Sequence, residues 1–451
     1  MTYHFVGIGG VSMSGIAQLL LNRGETVTGS DRQESADIEK LRKLGAKISI
    51  GHSEANVENP DMVVYTAAVK WDNPELREAK RRNIPCVLRA DFLGQIMQDF
   101  KASIAISGTH GKTTTTGMIA CIAKYAGIEP TIMIGGNLPQ IGGNVEIGEG
   151  ELLILEACEY VDSFLAFNPK IAVVTNIEAD HLDYFSGGIA QIRDSFQKFL
   201  EKLPRDGFAI INKDNKNASI VAKKAETIAY YVSLDDPSAD FHTENLRYIN
   251  GKADFDVVFE EGDQHITLNV YGEHNVYNAL CAFAVCYKYG ISQEKIAEGL
   301  KDFIGTGRRF ELRGEYAGVK IYDDYAHHPT EIKTTFATAE NLTGEKYFIF
   351  QPHTYTRTRA LWDDFVEVLK IPKNIIIADI YSARENPIKD ITSENLAKAV
   401  GCEYIEGGLE EIGKTVKTRL KKGDNIICVG AGDVNKICEM LLADVQVTNN
   451  K

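Results

Sequence analysis

The segment SGTHGKTTTT, residues 107–116, has the residue types of a loop that binds phosphate groups. A glycine-rich turn between a strand and a helix directs backbone amides at phosphates, while a lysine neutralises their charge and a hydroxyl binds Mg²⁺. Lys112 and Thr113 hold the lysine and hydroxyl positions, and Ile106 stands where the strict Walker pattern has glycine. The sequence therefore predicts a variant phosphate loop, and an ordinary turn is the less favoured interpretation.

Two later strand-like runs end in side chains that suit a metal ion. LLILE ends at Glu156, and the segment IAVVTNIEADH contains Asn176, Asp180 and His181 after its apolar run. Because ligands of open α/β sheets bind beyond the carboxyl ends of the strands, we expect Lys112, Glu156 and His181 to lie at one rim. A carboxylate and an imidazole beside bound phosphates suit Mg²⁺, bound directly or through water. For Glu156 alone, a solvated strand end is an equally good interpretation.

The segment GIGGVSMSGIA near the amino terminus is similar to a dinucleotide-binding turn. Asp31 lies where such turns place the acid that binds a ribose, but Ser12 replaces the third glycine of the pattern that begins at Gly7 and Gly9. The pattern predicts a pyrophosphate at a helix N-terminus. It does not distinguish NAD from another nucleoside diphosphate.

Four further motifs contain polar residues whose role the pattern leaves open. Asn275 and Asn278 in GEHNVYNA suit the edge of a base, but such residues cap helices at least as often. TGRRFE is either a charged linker or a pair of arginines that bind a nucleotide. QPHTYTRT places His353 and Arg357 after a strand, where exposed arginines are usually only solvated. DDYAHHPTEI, residues 323–332, is a metal site, an acid/base pair or a polar turn.

The composition excludes some classes of partner. The chain has 49 Lys and Arg against 63 Asp and Glu, a net charge of −14, so we expect no general attraction to nucleic acid or to anionic membranes. Its eight cysteines form no CxxC pair and lie mostly in apolar runs, as in a reduced cytoplasmic protein. The start MTYHFVGIGG lacks the features of a signal peptide, and the sequence has no run of about 18 apolar residues for a membrane helix.

Strand-like and helix-like segments alternate over most of the chain, which predicts an α/β protein. The pattern of strand and glycine turn restarts after residues 98–101, and strands ending in polar turns begin again near TGRRFE. Residues from about 225 to 271 are predicted to form short strands and turns. At 451 residues the chain has room for three domains of about 150 residues each. The predicted domains are 1–98, 99–307 and 308–451.

Taken in order, these motifs, together with EACEYVDSFL and TNIEADHLDYF, resemble those of the ATP-dependent Mur ligases. They run from residue 7 to beyond residue 359, so the resemblance covers essentially the whole chain. It implies a Rossmann-like domain for a UDP-sugar, a central P-loop ATPase domain, and a C-terminal Rossmann-like domain that completes an amino-acid site. It also implies that the first glycine turn binds UDP rather than NAD.

The activity that the resemblance implies is the ATP-dependent joining of L-alanine to UDP-N-acetylmuramate, in cytoplasmic peptidoglycan synthesis. The sugar carboxylate would attack the γ-phosphate of ATP, and the amine of alanine would displace phosphate from the resulting acyl phosphate. ATP and Mg²⁺ are the implied substrate and cofactor. The chain is expected to be a monomer or a homodimer.

The family's nucleotide and metal residues match positions of this sequence. The resemblance implies that Lys112 contacts the phosphates and is catalytic together with His181. It implies Thr113, Glu156 and His181 as metal ligands. The residues implied to bind ATP are Gly108, Thr109, His110, Gly111, Lys112, Thr113, Thr114, Asn275, Asn278, Arg309 and Asp324. Those implied to bind the UDP-sugar are Gly9, Gly10, Ser12, Ser14, Ser30 and Asp31, with Ser30 and Asp31 directed toward the nucleoside.

The implied amino-acid site lies in the C-terminal part. His327 is implied as the base or orienter of the amine, and Arg357 as a ligand of the alanine carboxylate. Some members have arginine where this chain has Thr354, so Arg357 carries more of that recognition. A metal site in DDYAHHPTEI is then disfavoured. For His328, a structural role in which it hydrogen-bonds the turn is an equally good interpretation. Pro329 is predicted at or near the start of the next helix.

Three alternative functions remain. A recycling ligase that attaches a tripeptide to the same UDP-sugar resembles the family throughout, but QPHTYTRT favours the alanine enzyme. A nucleotide-sugar dehydrogenase would explain the first glycine turn and leave GTHGKTTTT without a function. A UDP-sugar-binding regulator without ligase activity would not need the phosphate and metal residues.

Overall fold

The computed structural model describes residues 1–182, 184–249, 251–383 and 385–448. The chain divides into two compact units. The first unit comprises residues 1–246, 255–267 and 275–304, and the second comprises 247–254, 268–274 and 305 onward. Three sheets with helices between their strands give the predicted α/β architecture.

The first sheet has five parallel strands in the order β3-β2-β1-β4-β5. The strands are β1 (Thr2–Val6), β2 (Thr26–Asp31), β3 (Lys47–Ile50), β4 (Met62–Tyr65) and β5 (Cys86–Leu88). The helices are α1 (Val11–Asn22), α2 (Ala36–Lys43), α3 (Pro74–Arg81) and α4 (Arg89–Met97). This order puts the carboxyl ends of β1, β2 and β3 side by side at one rim, where the first glycine turn lies.

The second sheet has ten strands in the order β15-β14-β13-β12-β11-β10-β6-β9-β7-β8. Its strands are β6 (Ala102–Ser107), β7 (Thr131–Leu138), β8 (Gly143–Glu146), β9 (Leu152–Glu156), β10 (Ile171–Val174), β11 (Phe208–Asn212), β12 (Ala229–Ser233), β13 (Phe241–Ile249), β14 (Lys252–Phe259) and β15 (Gly262–Tyr271). The helices are α5 (Lys112–Tyr125), α6 (Gly188–Leu200), α7 (Lys216–Lys224), α8 (His274–Tyr289) and α9 (Gln293–Asp302). Strand β6 pairs in parallel with β9 and β10, so their polar ends meet at one rim.

The segment from 225 to 271 differs from its prediction. Strands β13, β14 and β15 have 9, 8 and 10 residues, so they are long rather than short. Several of their positions carry charged or amide side chains on an exposed face, which hides the alternation that would identify a strand of this length.

The third sheet has six strands in the order β16-β17-β21-β18-β19-β20, with only β16 antiparallel to its neighbour. The strands are β16 (Glu311–Tyr316), β17 (Val319–Asp324), β18 (Lys346–Phe350), β19 (Ile375–Ile377), β20 (Glu403–Tyr404) and β21 (Asn425–Val429). The helices are α10 (Pro329–Glu340), α11 (Tyr355–Ala360), α12 (Trp362–Leu369), α13 (Ser393–Val400), α14 (Gly408–Lys417) and α15 (Lys436–Thr448). Separate apolar clusters cover its two faces, as expected for a sheet wound on both sides.

Three short 3₁₀ segments complete the elements: Glu54–Asn56, Pro139–Ile141 and Tyr160–Ala166. All eight cysteines are free thiols, in agreement with the absence of a predicted disulfide framework. Within the described ranges, every helix is too short or too polar to cross a lipid bilayer.

Candidate active site

The phosphate loop lies between β6 and α5. Gly108 has a φ of +141°, and a Cβ there would overlap the Thr175 hydroxyl, so the position requires glycine. Asn176 holds the loop from the end of β10. Its carbonyl accepts a hydrogen bond from Thr109 N at 3.0 Å, and its Oδ1 accepts one from His110 N at 2.8 Å. These two amides are therefore engaged within the protein, and the first turn of α5 follows them.

Lys112, the first residue of α5, is bound by a carboxylate that the sequence motifs did not indicate. Its Nζ donates to Glu159 Oε2 at 2.9 Å and Oε1 at 3.3 Å, and also to the carbonyls of Gly108 and Thr109. Burial alone lowers the pKa of Lys112, but the neighbouring Glu159 charge raises it above its ordinary value. Glu159 is itself buried and the Lys112 side chain is 15% exposed, so the two charges balance each other in a largely enclosed place.

Glu156 and His181 lie at the same rim as Lys112. Glu156 ends β9, and its Oε1 accepts from Gly135 N at 2.7 Å. A Cβ at Gly135 would lie 2.8 Å from Glu156 Oε2, so a larger residue would displace this carboxylate. His181 has a φ of +53°, and its Nε2 lies 3.9 Å from Glu159 Oε1. Lys112 and His181 therefore meet at Glu159.

The donor atoms at this rim suit a hard cation but do not form a complete cage. Thr113 and Glu156 offer a hydroxyl and a carboxylate, and His181 offers a ring nitrogen. Over the residues that the structure describes, no group of three or more His, Cys, Asp or Glu side chains is arranged to hold a metal ion. Mg²⁺ takes few protein ligands and keeps waters and phosphate oxygens, so an incomplete set of oxygen donors fits it.

Asn275 and Asn278, in the first turns of α8, are buried beside the phosphate loop. Asn278 Oδ1 accepts from Thr115 Oγ1 at 3.2 Å, and its Nδ2 donates to Asn275 Oδ1 at 2.9 Å. A Cβ at Gly111 would lie 2.5 Å from Asn278 Oδ1. The fold thus brings the two predicted base-binding amides to the N-terminal part of α5.

The first glycine turn connects β1 with α1. The N–H of Gly7 donates to the Ser30 carbonyl at 2.8 Å, and the N–H of Gly9 donates to Asp31 Oδ2 at 2.8 Å. Gly10 is the N-cap of α1. Asp31 therefore shapes the turn from the end of the adjacent strand.

Three serines predicted to bind the UDP-sugar are engaged within the protein. The Ser14 hydroxyl donates to the carbonyl of Val11 at 3.0 Å, and Ser12 Oγ accepts from Arg89 Nη1 at 2.8 Å. Ser30 is fully buried, and its hydroxyl donates to Glu75 Oε2 at 2.6 Å. The Ser30 side chain faces the interior here, and its place toward the nucleoside stays a prediction.

Arg89, the first residue of α4, brings a positive charge to this turn. Its guanidinium is partly buried, and burial lowers its pKa. Its hydrogen bond to Ser12 places it at the N-terminus of α1. In the described part of the chain no carboxylate pairs with Arg89, so the cation is available to an anionic ligand.

In the second unit, Asp324 ends β17 and is buried. It accepts from a backbone amide two residues later at 2.9 Å and from Thr335 Oγ1 at 3.0 Å. Burial raises the pKa of Asp324 to about 6, although the Arg309 charge acts in the opposite direction. The Arg309 guanidinium lies over the Tyr325 ring, 5.5 Å from its centre.

Arg308 and Asp323, the neighbours of the predicted pair, form a structural contact. Arg308 Nε lies 3.1 Å from Asp323 Oδ2, and its terminal nitrogens donate to the carbonyls of Gly430 and Gly432. The carboxylate of Asp323 is fully buried. Arg308 therefore attaches the start of the second unit's sheet to its last strand.

His327 has the features of a neutral base. Its Nδ1 lies 2.9 Å from the Tyr325 carbonyl, which can only accept, so Nδ1 carries the proton and Nε2 has the lone pair. Burial and the Arg357 charge lower the pKa of His327, whereas Glu331 raises it, and the result lies below the ordinary value. His328 instead caps α10, with Pro329 at the first helical position, as predicted.

Arg357 lies beside a second histidine. Its Nη1 is 3.3 Å from His353 Nδ1, and the His353 ring stacks on Tyr381 with centroids 5.7 Å apart. The His353 ring also lies 5.9 Å from that of His327. Burial, His327 and Arg357 together lower the pKa of His353 to about 4. Thr354, at a φ of +67°, is the N-cap of α11 and accepts from Arg357 N at 3.4 Å.

Comparison with known proteins identifies the family. Residues 2–101 match the model of the Mur ligase family catalytic domain, 106–286 the Mur ligase middle domain, and 308–432 the Mur ligase glutamate ligase domain. A UDP-N-acetylmuramate–L-alanine ligase from Caldicellulosiruptor bescii is 47% identical over 448 residues, which cover 98% of this chain and 98% of that protein. The chain belongs to the Mur ligase family.

Solved structures of Mur ligases share the fold over nearly the whole length. The UDP-N-acetylmuramate-alanine ligase of Thermotoga maritima has a TM-score of 0.84 at 27% identity, covering 99% of this chain and 100% of that one. A murein peptide ligase from Psychrobacter arcticus has a TM-score of 0.74 at 27% identity, covering 98% of each. This Mur ligase therefore has the three-domain α/β fold of the family.

Sequence motifs missed three residues of this Mur ligase that surround its predicted sites: Glu75, Arg89 and Glu159. Glu159 lies inside the quoted segment EACEYVDSFL, and a second acid three positions after Glu156 was a signal for it. Arg89 follows a strand of the first sheet directly, which was also a signal. Glu75 lies in a charged helical stretch and gave no signal.

The Lys112 and Glu159 pair generates a stability prediction. Glu159→Gln leaves a buried ammonium without its counter-charge, so we expect a loss of about 3–5 kcal/mol and a clearly lower midpoint of thermal unfolding. The double variant Lys112→Met with Glu159→Gln should recover much of the loss, because no buried charge remains.

Glu146→Gln is the matched control, since it breaks an ion pair with Lys124 that is about one-third exposed. We expect a change of at most about 1 kcal/mol from it. Equal midpoints for Glu159→Gln and Glu146→Gln would contradict the balancing role of Glu159.

Proposed function

We propose that this Mur ligase joins L-alanine to the carboxylate of UDP-N-acetylmuramate, with cleavage of ATP to ADP and phosphate. The observation that carries the proposal is the 47% identity, over 98% of both chains, to a UDP-N-acetylmuramate–L-alanine ligase. The intact phosphate loop, with Lys112 and Glu156 at its rim, supports ligase activity over a role in binding alone. The proposal includes a cytoplasmic location, which agrees with eight free thiols.

The proposed division of labour follows the predicted domains 1–98, 99–307 and 308–451. The first binds the UDP-sugar, with its diphosphate at the N-terminus of α1, where Gly9, Gly10 and Arg89 offer amides and a cation. The second binds the phosphates of ATP at the first turn of α5. The third supplies Arg309 and Asp324 to the nucleotide and His327 and Arg357 to alanine.

In the first step, the sugar carboxylate attacks the γ-phosphorus of ATP, and ADP leaves. Charge on the transferred phosphoryl group is stabilised by Lys112, which exchanges its contact with Glu159 for a phosphate oxygen. Such an exchange keeps the buried ammonium paired with an anion throughout. Asn275 and Asn278 would support the nucleotide beside this loop.

Mg²⁺ belongs to the proposal as the ion that supplies further positive charge to the phosphates. Thr113 and Glu156 would hold it, with His181 as a ligand or as the positioner of a bound water. Glu156 keeps its geometry through a protein contact, because Gly135 N donates to its Oε1 at 2.7 Å.

In the second step, the amine of alanine attacks the acyl carbon, and phosphate leaves. An α-amino group has a pKa of about 8 even in peptides and is mostly protonated at neutral pH, so a base must take its proton. His327 Nε2 is the accepting atom in the proposal. Arg357 pairs with the alanine carboxylate, with His353 fixing the guanidinium.

Phosphate release in the presence of UDP-N-acetylmuramate, ATP and a panel of amino acids tests the function. We expect turnover with L-alanine and little with other amino acids. The tripeptide serves as the competing acceptor substrate, since a murein peptide ligase shares the fold. Preference for the tripeptide would replace the proposal with the recycling activity, and UDP-sugar binding without turnover would replace it with a regulatory role.

Glu156→Gln tests the metal assignment, because it keeps an acceptor for Gly135 N but removes the negative charge. We expect ATP turnover to fall at least about 100-fold, with UDP-sugar binding unchanged. Glu151→Gln, an exposed acid near the start of the same strand, is the control and should leave turnover unchanged. Full activity of Glu156→Gln at saturating Mg²⁺ would refute the assignment.

His327→Ala tests the base. Because the pKa of His327 is lowered from 6.5, its base form persists to pH values below 6.5, and the rate should fall only in that acid range. The variant should lose at least about 100-fold in alanine-dependent rate and lose this acid limb. His328→Asn, which keeps a helix cap, is the control and should behave like the wild type. An unchanged pH profile in His327→Ala would exclude the role.

A further inference from the structure

The third sheet has a cavity at the amino ends of three adjacent strands. β18, β19 and β20 pair in parallel, and Tyr347, Asn374 and Cys402 line the cavity near the points where these strands begin. The residues of the proposed alanine site, His353 and Arg357, follow the carboxyl end of β18. A strand of five residues is about 16 Å long, so the cavity is separate from the rim that carries the proposed chemistry.

The size and part of the lining of this cavity suit a small molecule with an apolar body. The cavity volume is about 280 Å³, close to the lower limit of about 300 Å³ for ligand pockets. Phe348, Leu369, Ile375 and Val400 line the cavity, and all four are buried. A ligand that packs an apolar group against them removes that group from water, which favours binding.

Three cationic side chains also line the cavity: Lys370, Lys373 and Arg419. The two lysines belong to the connection between α12 and β19, and Arg419 follows α14. Lys373 is 83% exposed, and its Nζ lies 4.0 Å from the exposed carboxylate of Glu345. Among the described residues that line the cavity, Glu403 is the single acid. The lining therefore has an excess of positive charge.

Glu403 holds the guanidinium of Arg419 beside the cavity. Arg419 Nη1 donates to Glu403 Oε2 at 2.5 Å, and Nη2 donates to Oε1 at 2.8 Å. Both side chains are 40% exposed, so the pair is open to solvent. A guanidinium has five N–H donors, and this contact leaves donors for a second anion. Glu403 thus positions Arg419 and at the same time competes with any anion that Arg419 binds.

The wider surroundings of the cavity have the same sign of charge. Residues 414–422, which include Arg419, contain five Lys and Arg and no acid, in a chain with a net charge of −14. The helices α12 and α13 end at the cavity, with Lys370 and Gly401 as their C-caps. A helix C-terminus carries a partial negative charge, which Lys370 offsets at α12. Positive charge therefore remains in excess at this end of the sheet.

We propose that this cavity binds a small organic anion that has an apolar body. Its carboxylate or phosphate group pairs with Lys370, Lys373 and Arg419. Its apolar body packs on the buried side chains that include Phe348 and Ile375. The site is independent of the proposed function, because it uses none of the residues placed at the ATP, UDP-sugar or alanine sites.

Protection of the Cys402 thiol from alkylation locates and measures the binding. Cys402 lines the cavity and is partly buried, and burial raises its pKa to about 11, so it reacts slowly with iodoacetamide. The probe is phenylacetate, and mass spectrometry follows the labelling of each cysteine in the full-length chain. We expect phenylacetate to slow the labelling of Cys402 and to leave that of Cys86 unchanged. Cys86 is the control because it is also partly buried but lies in the first unit.

Related probes with the same ring separate the effect of charge from that of shape. Phenylacetamide has the shape of phenylacetate without the charge, and we expect it to bind at least about 10-fold more weakly. Benzylamine, a cation, should give no protection at the same concentration. Phenyl phosphate distinguishes the two anionic groups: tighter binding than phenylacetate indicates a phosphate ester as the ligand, and weaker binding indicates a carboxylate. Saturating ATP and L-alanine should leave the protection unchanged, since their proposed sites are elsewhere.

Two substitutions in the pair of Arg419 and Glu403 should change phenylacetate binding in opposite directions. Arg419→Gln should weaken binding by about 5-fold, and Glu403→Gln should strengthen it at least about 2-fold, because a competing anion is removed. The pair is 40% exposed, so both variants should fold. Lys414→Gln is the matched control, since it removes one positive charge from a 62% exposed position outside the cavity lining. It should bind phenylacetate like the wild type.

Three results would overturn the inference. The first is a rate of Cys402 labelling that neither phenylacetate nor phenyl phosphate slows, and the second is equal protection by phenylacetate and phenylacetamide. The third is weaker binding in both Arg419→Gln and Glu403→Gln, which would indicate that the pair acts only on the structure. Each of these results leaves the proposed function intact, because phosphate release with alanine tests a different set of residues.

Discussion

The phosphate loop depends on the charge balance between Lys112 and Glu159. An ammonium that is largely enclosed needs an anion beside it, since desolvation of an ion is costly. Glu159 supplies the anion, and the carbonyls of Gly108 and Thr109 accept the remaining protons of the ammonium. The loop conformation and the lysine position thus depend on one another. In the proposed function, a phosphate oxygen replaces Glu159 as the partner of Lys112.

Carboxylates that accept several hydrogen bonds also fix the geometry at the other predicted sites. Glu75 sets the loop after β3, Glu159 sets Lys112, and Glu331 accepts hydrogen bonds from the backbone of His327 and His328. In each case an acid with several hydrogen-bond donors fixes the geometry of the residues beside it. Loops at a sheet rim have few apolar contacts to hold them, so buried carboxylates with several donors replace such contacts. These carboxylates therefore give the loops a specific geometry.

Local sequence was sufficient for the features that depend on consecutive residues. The glycine turn between β6 and α5 and the helix start at Pro329 follow from short-range rules, and the structure has both. Features that depend on distant pairs were not predictable. The burial of Ser30 against Glu75 joins residues 45 positions apart, and the length of β13 to β15 is hidden by their polar exposed positions. The role of Glu159 was not predictable either, because it depends on where Lys112 lies in three dimensions.

A chain with a net charge of −14 that binds anionic ligands needs cationic side chains close to each bound anion. At physiological ionic strength the Debye length is about 8 Å, so distant surface acids are screened, and only nearby groups act on a bound phosphate. In the proposed function, Arg89 at the first glycine turn and Lys112 at the phosphate loop are such groups, and Arg357 has the same role toward a carboxylate. Each is partly or wholly buried and held by neutral or acidic neighbours. In the proposed function, these few fixed charges bind the anionic substrates.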